Sequence, residues 1–179
     1  MGDLSFQNNV PDPLLAGKEL PTFKFELEKS KGKVLGNSFG KEVTVEQLPI
    51  SKEIAGVSIQ LEPGVMRELH WHPNTDEWQY VVVGDLSVTM VGSHGRFRTE
   101  LLHAGDVGYI PQGYGHSIEN VGSEPSRILV GFNTGIYESI DLSAWIAGNP
   151  VDVLATNFNK PESLIRMFPR KDVFIAPRE

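Results

Sequence analysis

The sequence predicts an all-β fold of the sandwich or jelly-roll type, and three observations support this prediction. Apolar and polar residues alternate through Ala55–Leu61 and Leu86–Met90, as expected of half-buried strands. Further short apolar runs follow about every ten residues, with glycine-bearing turns between them. The 18 glycines and 12 prolines are spread along all 179 residues, which is typical of a chain with many turns.

The other elements follow from the same local signals. The first 40 residues mix Pro, Asn and Gly with isolated apolar positions and predict an arm, with a short strand at Thr22–Leu27. Two short helices are predicted late in the chain, one over Leu142–Ala147 capped by Asp141 and one from Pro161 to Met167. The remaining predicted strands are Trp78–Val83, Arg96–Leu102, Val107–Ile110, His116–Val121 and Arg127–Phe132. We therefore expect an arm at 1–40 and one domain at 41–179, closed by a helical extension.

Composition excludes several classes of function. The 16 basic and 23 acidic residues give a net charge of −7 and a pI of about 5.2, so nucleic-acid binding is not expected. Without cysteine there is no disulfide framework, thiolate zinc site, iron–sulfur cluster or cysteine nucleophile. No stretch approaches the roughly 18 apolar residues of a membrane span, and no basic region precedes an apolar one at the N-terminus. A cytoplasmic protein is the expectation, and any metal must be held by His and carboxylate.

Three of the five histidines could form a metal site. On a strand, His70 and His72 point to the same face because side chains alternate with period 2. Glu77 follows after a turn and could supply a carboxylate, while His116 on a later strand could supply a third nitrogen. Each histidine alone is more simply read as a structural or surface residue, and His94 and His103 stay in that class.

The joint spacing favours the metal site. The first stretch follows the pattern G-x5-H-x-H-x4-E-x6-G from Gly64 to Gly84, and the second follows G-x5-P-x-G-x2-H-x3-N from Gly105 to Asn120. Both match the two motifs of the cupin superfamily at every defining position. This resemblance implies a double-stranded β-helix, the cupin jelly-roll barrel, with His70, His72, Glu77 and His116 as metal ligands. Mn(II) or Fe(II) suits such a site, but Cu, Ni or Zn would bind it more tightly in free competition, so the residues alone do not identify the metal.

A narrower resemblance covers roughly residues 42 to 175. The segments Leu61–Gly64, Arg67–His72, Asp106–Pro111 and Val153–Phe158 are similar to the bicupin oxalate decarboxylases, mostly to their N-terminal cupin. Those enzymes carry two cupins in one chain, whereas this chain carries one. The resemblance implies conversion of oxalate to formate and CO2 with Mn(II) and dioxygen as cofactors, with Fe(II) as the second choice of metal.

The same resemblance assigns catalytic roles to Arg67 and Glu138. An arginine three residues before the first histidine is expected to orient a carboxylate, although strand parity would turn Arg67 away from His70 unless a bulge or bend intervenes near Gly64. Glu138 is the candidate proton relay on a lid that is about three residues shorter than the family's. A solvated glutamate without a role is the competing interpretation of Glu138.

Three further alternatives remain open from the sequence. A lid without an effective acid predicts an oxalate oxidase, which gives CO2 and hydrogen peroxide. A non-catalytic metal- or carboxylate-binding cupin and a different Mn or Fe enzyme are the others.

Because bicupins pair two similar domains, a single cupin with an arm is expected to form a homo-oligomer, either a dimer or a trimer of dimers.

Overall fold

The computed structural model of the protein describes residues 18–177, which form twelve strands and three short α-helices. The strands are β1 (Lys33–Leu35), β2 (Ser38–Val43), β3 (Ala55–Leu61), β4 (Val65–Trp71), β5 (Glu77–Val83), β6 (Asp85–Val91), β7 (Phe97–His103), β8 (Val107–Ile110), β9 (Gly115–Asn120), β10 (Ser126–Phe132), β11 (Ile140–Asp141) and β12 (Ile175–Pro177). The helices are α1 (Leu142–Ala147), α2 (Val151–Phe158) and α3 (Glu162–Ile165).

Two antiparallel sheets face each other across the core. The first has the strand order β1-β2-β3-β10-β5-β8, and the second has the order β11-β4-β9-β6-β7. Strand β12 pairs with β4 as well, at Ile175 opposite Arg67. Strand β4 therefore carries the His-x-His segment and is bordered by β9, β11 and β12.

The core follows the period-2 alternation of the strands. On β5, Glu77, Gln79 and Val81 are buried while Trp78 and Tyr80 are exposed, because successive side chains point to opposite faces. The facing strands of both sheets supply the apolar interior; its members include Val57, Ile59, Leu61, Leu86, Val88, Ile118, Ile128, Val130 and Phe132. Glu77 and His116 share these inward faces, with Val81 on β5 and with Ile118 on β9.

The glycine at the end of β5 shows why the motif needs that residue type. Gly84 has a φ of +84°, and a Cβ there would clash with Ser126 at the start of β10. Only glycine combines this conformation with such a close approach of two strands. The turn into β6, and with it the register of the second sheet, depends on this position.

The all-β fold with short C-terminal helices is confirmed, and the strands predicted from Ala55 onward agree with the observed ones to within one or two residues. The strand predicted at Thr22–Leu27 is wrong, since this stretch has no strand and ends in a single 3-10 turn at Leu27–Lys29. Helix α2 was not predicted. The predicted boundary between the arm and the domain lies inside β2, which pairs with β3; residues 1–17 of the predicted arm lie outside the described residues.

Helix α1 begins where the sequence predicts it, but Asp141 is not its side-chain cap. No capping hydrogen bond is made from Asp141 to the first turn of the helix. Instead the carboxylate is directed to Arg67 in the barrel. Among residues 18–177, no helix is long and apolar enough to cross a membrane.

Candidate metal centre and substrate cavity

Three imidazoles and one carboxylate converge at one end of the barrel. Strand β4 supplies His70, His72 follows directly after it, β5 begins at Glu77, and β9 supplies His116 opposite His70. All four side chains are buried, and one potential ligand atom from each lies within 4.8 Å of the others. The structure thus brings together all four ligands that the sequence predicts.

Backbone carbonyls fix the orientation of each imidazole. The Nδ1 atoms of His70 and His72 donate to the carbonyls of Glu68 and Glu138, both at 2.7 Å, and His116 Nδ1 donates to the carbonyl of Tyr114 at 3.2 Å. With the proton on Nδ1, each Nε2 is left with a lone pair. Outer hydrogen bonds of this kind hold metal-binding histidines in the correct tautomer.

Two of these lone pairs face one carboxylate oxygen. Glu77 Oε2 lies 2.9 Å from His72 Nε2 and 3.0 Å from His116 Nε2. When Glu77 is ionised and neither Nε2 atom carries a proton, all three atoms are hydrogen-bond acceptors. A cation, either a proton or a metal ion, must then lie among them. The donor set therefore fits a divalent metal, and it leaves two positions of an octahedral ion for other ligands.

The electrostatic environment favours the ligating form of these groups. Burial alone would raise the pKa of Glu77, but the charge and hydrogen bond of His116 and the hydrogen bond of His72 outweigh it and hold the pKa well below its usual value. Burial and the nearby Arg67 charge lower the pKa of His70 well below that of a free histidine. At neutral pH these shifts favour ionised Glu77 and neutral His70, the forms in which these two groups bind metals.

Arg67 points into the barrel because β4 is irregular. The register between β4 and β9 shifts between Arg67 and His70, and as a result both Arg67 and Glu68 are buried. The parity expectation that Arg67 would turn away is thus overturned by a bulge, which inserts an extra residue and reverses the facing of the side chains. Arg67 and His70 line the same cavity.

The Arg67 guanidinium is already engaged by protein groups. Nη2 donates to Asp141 Oδ1 at 2.5 Å and to Ser139 Oγ at 3.1 Å, while Nη1 donates to the carbonyl of Phe174 at 3.2 Å. The guanidinium carbon also lies 4.0 Å from the centre of the Phe174 ring. Although burial raises the pKa of Asp141, the ion pair with Arg67 outweighs it and lowers that pKa to about 2. Asp141 is thus ionised at any physiological pH and neutralises much of the Arg67 charge, a contact that the sequence analysis did not predict.

The carboxylate of Glu68 on β4 accepts hydrogen bonds from α1 and from the residue before β12. Its Oε1 accepts from Phe174 N at 2.6 Å and from Ser143 Oγ at 2.8 Å, and its Oε2 accepts from Ser143 N at 2.9 Å. Phe174 has a φ of 59°, a left-handed conformation that is unfavourable for a residue with a side chain. The bonds from Glu68 to α1 and to the residue before β12 hold this conformation and keep the aromatic ring against Arg67.

A cavity of about 470 Å³ leads from three of the predicted ligands, His70, His72 and Glu77, to the surface. Its walls are mainly apolar, from Val57, Ile59, Val130 and Phe132, with Arg67 as the buried cation among the lining residues. At the outer end it is lined by Lys31, Lys33, Asp172 and Phe174. The cavity has room for a small anion near Arg67 and three of the predicted ligands.

The lid segment, residues 133–139 between β10 and β11, covers this cavity without placing Glu138 in it. The Tyr137 ring stacks on Phe132, with centroids 4.1 Å apart, and its hydroxyl donates to Glu42 at 2.5 Å. Glu138 is exposed and is not one of the lining residues, although its carbonyl accepts from His72. The lid backbone is therefore fixed to a predicted ligand while the Glu138 carboxylate faces outward.

Comparison with known proteins agrees with this geometry. The family model described as Cupin matches residues 29–163. An oxalate decarboxylase of Bacillus subtilis (strain 168) is 48% identical over 101 residues, which are 56% of this chain and 26% of that protein. A probable oxalate decarboxylase of Arthroderma benhamiae is 33% identical over 166 residues, 90% of this chain and 41% of that protein.

The fold comparison leads to the same relatives. A solved structure of Bacillus subtilis oxalate decarboxylase, reported for its Mn(II) centres, matches with a TM-score of 0.83 and 32% identity, covering 87% of this chain and 41% of that one. The chain thus spans less than half the length of these relatives. Family model, relatives and fold agree, and the chain belongs to the cupin family.

Proposed function

We propose that the protein is a manganese-dependent oxalate decarboxylase that converts oxalate and a proton into formate and CO2, with dioxygen as cofactor. The observation that carries this proposal is the position of the buried Arg67 in the same cavity as His70, His72 and Glu77, three of the four clustered ligands. Its relatives are oxalate decarboxylases, one of them known for Mn(II) centres. Fe(II) is the second candidate for the metal.

The residues of the chain divide the work between binding and proton transfer. When bound, Mn(II) would be held by the three Nε2 atoms and Glu77 and would supply Lewis acidity and one-electron redox chemistry. Arg67 orients the substrate carboxylate through the N–H groups that Asp141, Ser139 and Phe174 do not use; a guanidinium has five N–H donors. The apolar walls exclude water from the reacting anion and strengthen these contacts.

Glu138 is the proposed proton relay, and its exposed carboxylate must move before it can act in the cavity. The carboxylate is exposed, so it must turn inward with the lid segment before it can accept and return a proton within the cavity. Carboxylate relays are often poorly aligned before substrate binds. The Asn74 side chain, which accepts from Glu138 N at 2.8 Å, and the His72 contact are the two bonds that such a movement would strain.

Carbon-13 NMR of labelled oxalate tests the proposal directly. Protein loaded with Mn(II) and checked for metal content is incubated with the substrate in air, and hydrogen peroxide is assayed in the same tube. Labelled formate and CO2 in equal amounts, without peroxide, are the expected products. Unchanged oxalate would contradict the proposal and leave a cupin that binds metal or carboxylates without this turnover.

We predict that replacing Glu138 with Ala lowers the rate of formate production by about 100-fold or more, since a positioned acid–base group contributes roughly 10²–10⁴-fold. Mn(II) binding should be unchanged, because only the backbone of Glu138 contacts His72. Formate production from Glu138→Ala protein at the wild-type rate would remove Glu138 from the mechanism.

An oxalate oxidase is the second candidate, and the outward position of Glu138 favours it. Without an acid in the cavity, the radical that remains after one-electron oxidation and loss of CO2 is not protonated to formate, and oxalate, dioxygen and two protons yield two CO2 and hydrogen peroxide. The same NMR experiment separates the two functions, since peroxide without formate identifies the oxidase.

We also propose that the protein forms homo-oligomers, a dimer or a trimer of dimers. The outer face of β10, β5 and β8 exposes Leu129, Trp78, Tyr80 and Tyr109 side by side. Exposed apolar patches of this kind are typical of interaction surfaces. Light scattering at micromolar concentration should give at least twice the 19.8 kDa chain mass; a monomer would contradict the assignment.

A further inference from the structure

A buried amide lies beside the candidate metal centre and has no assigned role. Gln79 is fully buried on β5, two residues after Glu77. The strand alternation places Glu77, Gln79 and Val81 on the same inward face. Val81 shows that an apolar side chain is accommodated on this face, so the amide at 79 needs a separate explanation.

The two ends of the Gln79 amide are used differently. Nε2 donates to Glu77 Oε1 at 2.6 Å, whereas Oε1 is buried and accepts no hydrogen bond within the described part of the chain. A buried acceptor without a partner is unfavourable. The compensating gain is the hydrogen bond to Glu77, because bonds to an ionised carboxylate are about twice as strong as neutral ones.

The neighbouring strand leaves room for this arrangement. Gly108 on β8 pairs with Gln79, and a Cβ at Gly108 would clash with the Gln79 amide oxygen. The amide is therefore confined from the side of β8 and is held in the orientation that presents Nε2 to Glu77.

The bond to Gln79 divides the Glu77 carboxylate into two unlike oxygens. Oε2 faces the Nε2 atoms of His72 and His116, while Oε1 is held away from them by Gln79. We propose that Gln79 is a positioning residue that limits Glu77 to a single ligand oxygen. A carboxylate that bound through both oxygens would occupy a fifth position of an octahedral ion and leave one for substrate instead of two.

This inference depends on the metal site of the proposed function but not on its substrate, so binding of Mn(II) alone tests it. In Gln79→Met, the side chain keeps its length and apolar stem but loses the N–H donor. We expect the Kd for Mn(II), measured by titration of the metal-free protein, to rise about 10- to 100-fold, as for other outer hydrogen-bond partners of metal ligands. The zero-field splitting of the bound Mn(II) in its electron paramagnetic resonance spectrum should also change.

Two further variants separate positioning from a general structural role. Gln60→Met makes the same exchange on β3, where the amide bonds to the carbonyl of Asn37, away from the site, and should leave both readouts unchanged. Gln79→Asn retains a buried amide but is one methylene too short to reach Glu77, and should resemble Gln79→Met. Gln79→Met or Gln79→Asn protein with the wild-type Kd and spectrum would overturn the inference. A wild-type protein that binds no Mn(II) would overturn this inference and the proposed metal site together, whereas a lack of oxalate turnover would contradict only the proposed activity.

Discussion

Replacement of Glu77 by Gln is expected to weaken Mn(II) binding by more than about 100-fold, beyond the range seen when an outer hydrogen-bond partner of a metal ligand is lost. The exchange preserves size but removes the only negative charge among the four predicted ligands. Three neutral imidazoles would then face a divalent ion in a buried site without charge compensation. The amide introduced at position 77 would also present an N–H toward a neighbouring lone pair or the metal.

Thermal unfolding with and without Mn(II) provides the measurement. At a free concentration 100 times the wild-type Kd, binding stabilises the native protein by about 2.7 kcal/mol. The wild type should show this shift in Tm and Glu77→Gln should show almost none. Glu124→Gln, the same exchange at an exposed turn position, is the matched control and should behave as wild type. An undiminished shift in Glu77→Gln would exclude Glu77 as a ligand.

Replacement of Arg67 by Met is expected to destabilise the protein by about 3–5 kcal/mol, because it leaves the Asp141 charge buried without an opposite charge beside it. Both side chains of the pair are more than nine-tenths buried. The variant should also lose turnover of oxalate, since the proposed carboxylate contact is gone.

A double variant distinguishes the two effects. Arg67→Met combined with Asp141→Leu replaces the ion pair by apolar groups of similar volume, an exchange that is often neutral for stability. We therefore expect urea unfolding to recover most of the lost free energy in the double variant, whereas oxalate turnover should not return. A double variant as unstable as the single one would show that the ion pair does not account for the loss, and restored turnover would remove Arg67 from substrate binding.

The sequence predicts the strands of this fold well because local alternation largely decides them. In β3 and β5 the apolar or inward-facing positions recur with period 2, and the same period turns His70 and His72 to one side. Alternation alone does not identify Glu77 and His116, which lie farther along the chain, as ligands of the same site. They are found because the complete pattern, including Gly84 and Gly113, specifies the turns between strands.

The contacts that sequence analysis misses depend on tertiary register. The bulge that turns Arg67 inward arises from how β4 pairs with β9, and no residue between 67 and 70 signals it. Asp141 has the local features of a helix cap, and only the position of Arg67 in space makes it an ion-pair partner. Gln79 did carry a signal, since a glutamine at an inward position beside Glu77 is unusual for a strand core, although its bond to Glu77 Oε1 requires coordinates.

Phe174 forms part of the cavity wall although it lies far from the metal ligands in the sequence. It lies 107 residues after Arg67, against which its ring and carbonyl pack. All four predicted metal ligands lie at or before residue 116 in the sequence. During synthesis, which proceeds from the N-terminus, the ligands can therefore meet before the wall that contains Phe174 exists.

The order of synthesis thus leaves the ligand cluster open on the side of Arg67 until β12 joins β4. An ion can reach the histidines of a nascent barrel without passing through the finished cavity. Pairing of β12 with β4 then converts an accessible cluster of ligands into a buried centre. After that, a metal ion can exchange only through the outer end of the cavity or after β12 has detached from β4.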